Sequence, residues 1–345
     1  MKETTTKSGT KKKINLALQG GGAHGAFTWG VIDTLLADGR IEIDGISGTS
    51  AGAMNAVVTA YGLAIGGNQG ARDKLAEFWH KTSEAGQKGF LKPSLLDKMF
   101  SVGNMDFSPM YVFSDYISKI FSPYELNPLN INPLREVLAQ TVDFEKLHQH
   151  PACKLFIAAT NVGNGRLRVF SNQDVSIDAV LASACLPFLF QAVEIEGQHY
   201  WDGGYIGNPP LFPLINDTKS PDILIIQINP VNIDHIPTSA RDVLDRINTL
   251  SFNSSLMREL RAVHFVTNLI DSGELSSEKH KRVFVHTVSA ESIVQELGVS
   301  SKLNSDPEFL QYLFNCGKQM AEKFLADNFD KIGVESSTDI AANFM

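Results

Sequence analysis

The first sixty residues contain the same unit twice, a short apolar strand, a glycine turn and a helical pattern, and this limits the chain to a parallel α/β architecture. Residues 14–18 form an apolar run without polar alternation, the pattern of a strand buried on both faces. Glycines follow at once, and Phe27, Val31, Leu35 and Leu36 then recur at helical spacing up to Gly39. The unit returns as a strand at 41–46, a turn around Ser50 and a helix from Ala51 with a face of small residues. Further strands are expected at 154–160, 193–196, 223–228 and 282–288, and long helices at 239–271 and 307–329. The alternation predicts a three-layer α/β/α fold around a mainly parallel central sheet.

Three motifs occupy the turns of this pattern. Gly20-Gly21-Gly22-Ala23-His24-Gly25 follows the first strand, where successive N–H groups with no Cβ in the way can converge on one oxygen. Gly48-Thr49-Ser50-Ala51-Gly52 matches G-x-S-x-G between a strand and a helix, the setting of a nucleophile elbow, and the helix N-terminus adds partial positive charge. Asp202-Gly203-Gly204 reads as a turn after the 193–196 strand. Its carboxylate gains interest because a serine hydroxyl needs a base within hydrogen-bond reach.

Other readings use the same residues. Gly20, Gly22 and Gly25 also fit G-x-G-x-x-G, with Glu42 and Asp44 about 20 residues on, as in a dinucleotide site. Against this, the Gly48–Gly52 turn follows the strand whose acid would have to face a ribose. An α/β-hydrolase triad would take its histidine from His235, His264, His280 or His286. That fold places several strands before its elbow, whereas about two precede Ser50, and none of these histidines sits in a glycine-rich turn. A non-catalytic or partner-activated lipid-binding module is a third reading.

Residues 86–133 break the pattern. Proline, glycine and asparagine punctuate many large apolar residues, among them Phe90, Leu95, Leu96, Met99, Phe100, Met105, Phe107, Met110, Tyr111, Val112 and Phe113. Two readings compete: a cap whose side chains are buried on the core, or an acyl-binding lid or membrane-facing surface. The expected organisation is a flexible tail at 1–12, a catalytic domain at 13–235 that includes this region, and a helical and strand extension at 236–345 packed on the same domain.

With 345 residues, 43% of them hydrophobic, and a net charge of −8, the chain can bury a large core and lacks the basic balance of a nucleic-acid binder. Cys153, Cys185 and Cys316 stand in apolar stretches and are expected to be buried thiols in a reducing compartment. The first thirteen residues hold five lysines and no apolar run of signal-peptide length, which points to a cytoplasmic protein. Export by a route that reads no N-terminal signal stays open.

Taken together, the motifs resemble those of the patatin-like phospholipase family: a glycine-rich oxyanion loop, G-x-S-x-G soon after, and a distant D-G-G. The resemblance covers most of 14–210 and extends to Ala158-Ala159-Thr160-Asn161, Arg166-Leu167-Arg168-Val169-Phe170, Ala182-Ser183-Ala184-Cys185-Leu186-Pro187 and Asn208-Pro209-Pro210. It implies a phospholipase A or lysophospholipase that cleaves carboxylic esters through an acyl-enzyme, with Ser50 as nucleophile and Asp202 as its direct base. The backbone of Gly20, Gly21 and Gly22 would form the oxyanion hole, supported by His24, Gly25, Gly48, Gly52, Gly203 and Gly204. No metal or other cofactor is implied; the expected partners are a phospholipid or other acyl lipid, a membrane contacted peripherally, and a second copy in a homodimer. A base of this kind has to be kept dry, so the site is expected to be shielded. Two positions depart from the pattern. His24 replaces the loop's usual Arg or Lys, which would make its charge depend on pH, and it is expected to support the loop without being a base. Gln19 replaces the aspartate of plant members, which draws the chain toward bacterial ones.

Overall fold

A computed structural model describes residues 11–234, 236–276 and 278–345. Of the expected N-terminal tail, residues 1–10 lie outside this set, and Lys12 already belongs to the first strand.

The two early units form as predicted. β1 (Lys12–Leu18) leads through the glycines to α1 (Gly25–Asp38), which ends on Gly39 in a left-handed conformation. β2 (Ile41–Gly48) leads through Thr49 and Ser50 to α2 (Ala51–Lys88), whose axis breaks at Gly66 and Gly67. The remaining strands are β3 (Lys154–Asn161), β4 (Leu167–Ser171), β5 (Val193–Ile195), β6 (Gln198–Asp202), β7 (Asp222–Gln227) and β8 (Phe284–Ser289). Hydrogen-bonded neighbours run β5-β6-β3-β2-β1-β7-β8, with β4 also on β3. The pairs β2/β1, β3/β2, β1/β7 and β7/β8 are parallel, as a chain of helical crossovers requires.

Alternation along these strands creates the three layers. On β7, Leu224 and Ile226 point into one core and Ile223 and Ile225 into the other. The first core is closed by α1, α2 and the helix Pro307–Asn328, the second by the helices Phe212–Asp217, Ala240–Asp271 and Ile340–Phe344. Gly30 of α1 and Gly317 of the Pro307–Asn328 helix each face backbone of the other helix, so the two can cross in backbone contact. Phe27, Val31 and Leu35 are sealed by that crossing, each stabilising the fold by about 1.5–3 kcal/mol relative to exposure.

The register on β3 positions the site. Phe156 pairs with β4 and also with Ser47 of β2, while Ala159 pairs with β4 and also with Asp202 of β6. A strand has two edges, so β4 covers one and β2 and β6 follow each other along the second. Gly48 lies opposite Ile157 and Asp202 opposite Ala159, two residues or about 7 Å apart along the strand. The chain leaving β2 at Ser50 therefore passes the end of β6. Asp202 is not in a free turn after 193–196, as its sequence suggested, but is the last residue of a strand of its own.

Candidate active site

Ser50 has φ 55° and ψ −122°, a conformation that non-glycine residues rarely adopt. The turn is held from three sides. Ser50 N–H donates to Ser183 Oγ at 2.9 Å, Thr49 Oγ1 donates to the Gly207 carbonyl at 2.7 Å, and Gly52 N–H donates to the Thr49 carbonyl at 2.8 Å. Gly48 and Gly52 let strand and helix backbones meet, since a Cβ on Gly48 would lie 2.5 Å from the Gly52 carbonyl oxygen and one on Gly52 would strike that of Leu18. Gly203 likewise abuts the Ala158 carbonyl, and Gly204 the ring of Phe252.

Asp202 is 1% exposed. Its Oδ1 accepts from Gly204 N–H at 2.7 Å, its carboxylate lies near enough to the Ser50 hydroxyl to feel it, and its backbone N–H is tied to the Cys185 carbonyl at 2.8 Å. Burial pushes its pKa up to about 6, while the Gly204 N–H, the Ser50 hydroxyl and the charge of Lys302 act in the opposite direction. The expected shielding of this carboxylate is present.

The glycine loop lies against the serine, and a Cβ on Gly20 would come within 2.6 Å of the Ser50 Cβ. Its donors are not equivalent. Gly20 N–H donates to Asn208 Oδ1 at 2.7 Å and is therefore unavailable to an oxyanion, which corrects the expectation of three glycine donors. Gly21 and Gly22 open the turn Gly22–His24, whose own hydrogen bonds begin only at the His24 N–H, and both line the pocket. Gly25 packs its α-carbon toward Ala51 and Trp79.

Gln19 explains its own substitution. Its Oε1 accepts from the N–H groups of Ile228 and Asn229 at 2.9 and 3.0 Å, and its Nε2 donates to Asn253 Oδ1 at 3.2 Å. A carboxylate lacks the donor this arrangement needs.

His24 does not enter the pocket. It is buried, and its Nε2 lies 2.7 Å from Ser301 Oγ, whose own hydrogen goes to the Gly298 carbonyl at 2.6 Å, so Nε2 carries the hydrogen and donates. Burial, with the charge of Lys302, pulls its pKa down to about 3. The charge of His24, expected to depend on pH, therefore changes only in acid: near neutral pH the ring is uncharged and joins the glycine loop to the turn Val299–Leu303.

That turn supplies a residue that no sequence motif singles out. Lys302 is half-buried on the pocket wall, with Nζ 3.0 Å from Asn229 Oδ1. Asn229 Nδ2 in turn donates to the Gly20 carbonyl at 2.7 Å. Burial lowers the lysine's pKa to about 8, opposed by the charges of Asp245 and Asp202. Ser183 and Asn208 stand in segments that the resemblance covers, whereas Asn229 and Lys302 are brought to the site by tertiary contacts that no local motif announces.

A cavity of about 410 Å³ joins Gly21, Gly22, Ser50, Asp202 and Lys302 to a mostly apolar wall that includes Met54, Phe78, Leu134, Phe190 and Leu310. Its size and lining suit an acyl chain. No histidine among the described residues lines it. His264 pairs with Asn268 on an exposed helix face, His280 is exposed, and His286 is buried between Asp222 (3.0 Å) and Ser337 (2.9 Å), where it pins the C-terminal segment to the sheet. His235 lies outside the described residues. The acids of the dinucleotide reading are also engaged elsewhere: Glu42 pairs with Lys13 at 2.7 Å, and Asp44 accepts from Lys219 and Ser220 N–H at 2.6 and 2.8 Å. All three cysteines are free, but only Cys185 is fully buried; Cys153 and Cys316 are half-buried, contrary to expectation.

Comparison with curated proteins gives no match. Among solved structures, VipD from Legionella pneumophila is similar with 15% identity over 92% of this chain and 67% of its own, at a TM-score of 0.46. Full-length ExoU from the type III secretion system of Pseudomonas aeruginosa, solved with full-length SpcU, is similar with 15% identity over 91% of this chain and 53% of its own, at a TM-score of 0.32. The chain thus spans between about half and two-thirds of the length of these structures. A sequence profile described as patatin-like phospholipase matches residues 16–215, which run from within β1 past the strand bearing Asp202. With that match over more than half its length, the chain belongs to the patatin-like phospholipase family.

Proposed function

We propose that the protein is a lipid acyl-ester hydrolase, of phospholipase A or lysophospholipase type, working through Ser50 and Asp202. Ser50 Oγ attacks the ester carbonyl carbon as its proton passes to the Asp202 carboxylate and the carbonyl electrons move onto oxygen. The N–H groups of Gly21 and Gly22 receive that oxyanion, and Lys302 adds positive charge to the same pocket. When the tetrahedral centre collapses, the alcohol leaves with the proton from Asp202 and the acyl group stays on Ser50. Water then repeats the sequence and releases a fatty acid.

The observation that carries this reading is the buried carboxylate beside the serine, both on the wall of one pocket that no described histidine enters. A carboxylate with pKa about 6 accepts a proton more readily than an exposed one while remaining ionised at neutral pH. Among the described residues no helix is long and apolar enough to cross a membrane, and contact with the lipid surface is proposed to be peripheral.

Hydrolysis of a short 4-nitrophenyl ester and of phospholipid vesicles by wild type, Ser50→Ala, Asp202→Asn, His264→Ala and His286→Ala tests the proposal. Loss in the first two variants with activity kept in the histidine variants supports it. Loss in a histidine variant that stays folded refutes the dyad, and a wild type inactive on every ester refutes the enzyme.

A further inference from the structure

The region 86–133 is not buried on the core. It folds as the short helices Leu95–Phe100, Pro109–Ser118 and Pro123–Leu126 joined by loops, and Met105 and Tyr111 are the exceptions that turn inward. More than half of the large apolar side chains left exposed among the described residues lie between 90 and 131. Phe90 is 84% exposed, Leu95 82% and Leu129 80%, with Met99, Phe100 and Phe113 not far below. A monomer in water does not ordinarily leave so much apolar side chain uncovered in one stretch.

What covers it is indicated by where it sits. Leu91 and Leu134, at the two ends of the region, line the cavity that holds Ser50. The region is also tied to the opposite rim: Gln191 Nε2 donates to the Asn127 carbonyl at 2.8 Å and Ala192 N–H to Tyr124 Oη at 3.3 Å. Leu186, Leu189 and Phe190 of that rim line the cavity, and Phe188 among them points outward, 65% exposed. The exposed apolar surface is therefore continuous with the mouth of the pocket.

Its charges are few, and most are engaged within the protein. Residues 90–131 contain three basic and four acidic side chains. Lys98 pairs with Asp306 at 2.8 Å and Lys119 with Asp115 at 2.7 Å, Asp97 caps its own helix through Ser94, and Glu125 does the same through Ser122. No basic cluster is available to read an anionic bilayer.

We propose that residues 90–131, with Phe188, are a membrane-docking surface that enters the interface of a zwitterionic bilayer by apolar insertion and sets the pocket mouth against the lipid. The proposal rests on a lipid being the substrate of the Ser50 pocket. Docking of this kind depends on buried apolar area and not on surface charge, so salt leaves it in place.

The test is co-sedimentation with phosphatidylcholine vesicles at ~0.05 and ~0.5 M salt. The proteins compared are wild type, Ser50→Ala and the double variant Leu95→Asp/Phe113→Asp, neither of whose positions lines the cavity. Wild type and Ser50→Ala are expected to bind equally at both salt concentrations. The double variant is expected to lose at least tenfold in vesicle binding and vesicle hydrolysis while keeping short-ester turnover. Binding that needs anionic lipid and vanishes in salt overturns the proposal, as does undiminished binding by the double variant or no binding by wild type. A wild-type dimer that the double variant converts to monomer assigns the surface to a second copy and also overturns it. A wild type that docks on vesicles but hydrolyses no ester leaves the surface standing and removes the enzymatic reading instead.

Discussion

Gly22 and Lys302 meet backbone to backbone: Gly22 holds a φ of +59°, and the Lys302 carbonyl lies where a Cβ on Gly22 would stand. The glycine loop is thus shaped by a turn nearly three hundred residues further on and outside the matched family region. The His24–Ser301 hydrogen bond and the Lys302–Asn229–Gly20 chain reinforce the same junction.

Gly22→Ala is expected to combine positive-φ strand-off with a clash against Lys302, costing about 1–3 kcal/mol of stability. It should also displace an N–H proposed to face the oxyanion, lowering kcat by about 10²–10³. Thermal unfolding and ester kinetics on the same preparation measure both effects.

Asp202→Asn is expected to lose activity and gain stability. Its folded pKa, about 6, exceeds the ordinary 3.8, so between these values the native state holds more protons than the unfolded state. Stability from this group is present in full below about pH 3.8 and is lost as pH rises through 6. The loss at pH 7 is about 3 kcal/mol, and an asparagine, which never ionises, escapes it. Denaturant unfolding should find the variant about 1–3 kcal/mol more stable at pH 7 and no more stable near pH 3.5. An equal difference at both pH values would contradict the buried charge.

The rate should rise with pH through about 6 as Asp202 ionises and fall above about 8 as Lys302 loses its charge. Lys302→Met is expected to remove the alkaline limb and move the acid limb upward, because a neighbouring positive charge no longer favours the carboxylate. A kcat/KM profile of the variant with both limbs unmoved would place the lysine outside the electrostatics of the site.

His24 behaves oppositely to Asp202 in acid. Its pKa falls from 6.5 to about 3 on folding, so the unfolded state binds the extra proton, and the stability it allows at neutral pH is lost as pH drops below 6.5. His24→Gln keeps a neutral side chain with a donor for Ser301 and should lose less stability than wild type between pH 7 and pH 4. Its turnover at pH 7 should remain within about tenfold of wild type, as for a group that holds the loop without transferring a proton. Urea unfolding at the two pH values, with ester kinetics, gives both readings.

The parts of the site written in local sequence were legible: the Ser50 elbow, the glycine loop and the three-layer alternation each follow from neighbours within a few residues. Helices predicted at 239–271 and 307–329 are found at Ala240–Asp271 and Pro307–Asn328. What escaped depends on register and tertiary contact. Asp202 reads as a turn because β6 is only five residues long, and its place beside Ser50 is decided by which residues of β3 are left unpaired where β2 ends. Gly20 looks like a donor until Asn208 arrives from 188 residues away. The burial of 86–133 could not be settled from composition, since a core cap and a lipid-facing surface require the same apolar side chains.

Whether Asp202 alone activates Ser50 is read out by peptide mapping after timed exposure to a fluorophosphonate. An adduct is expected on the peptide bearing Ser50, none in Ser50→Ala, with labelling slowed at least ~10²-fold in Asp202→Asn and unchanged in His264→Ala and His286→Ala. An adduct on another residue, or Ser50 labelled by Asp202→Asn as fast as by wild type, would contradict activation by Asp202 alone.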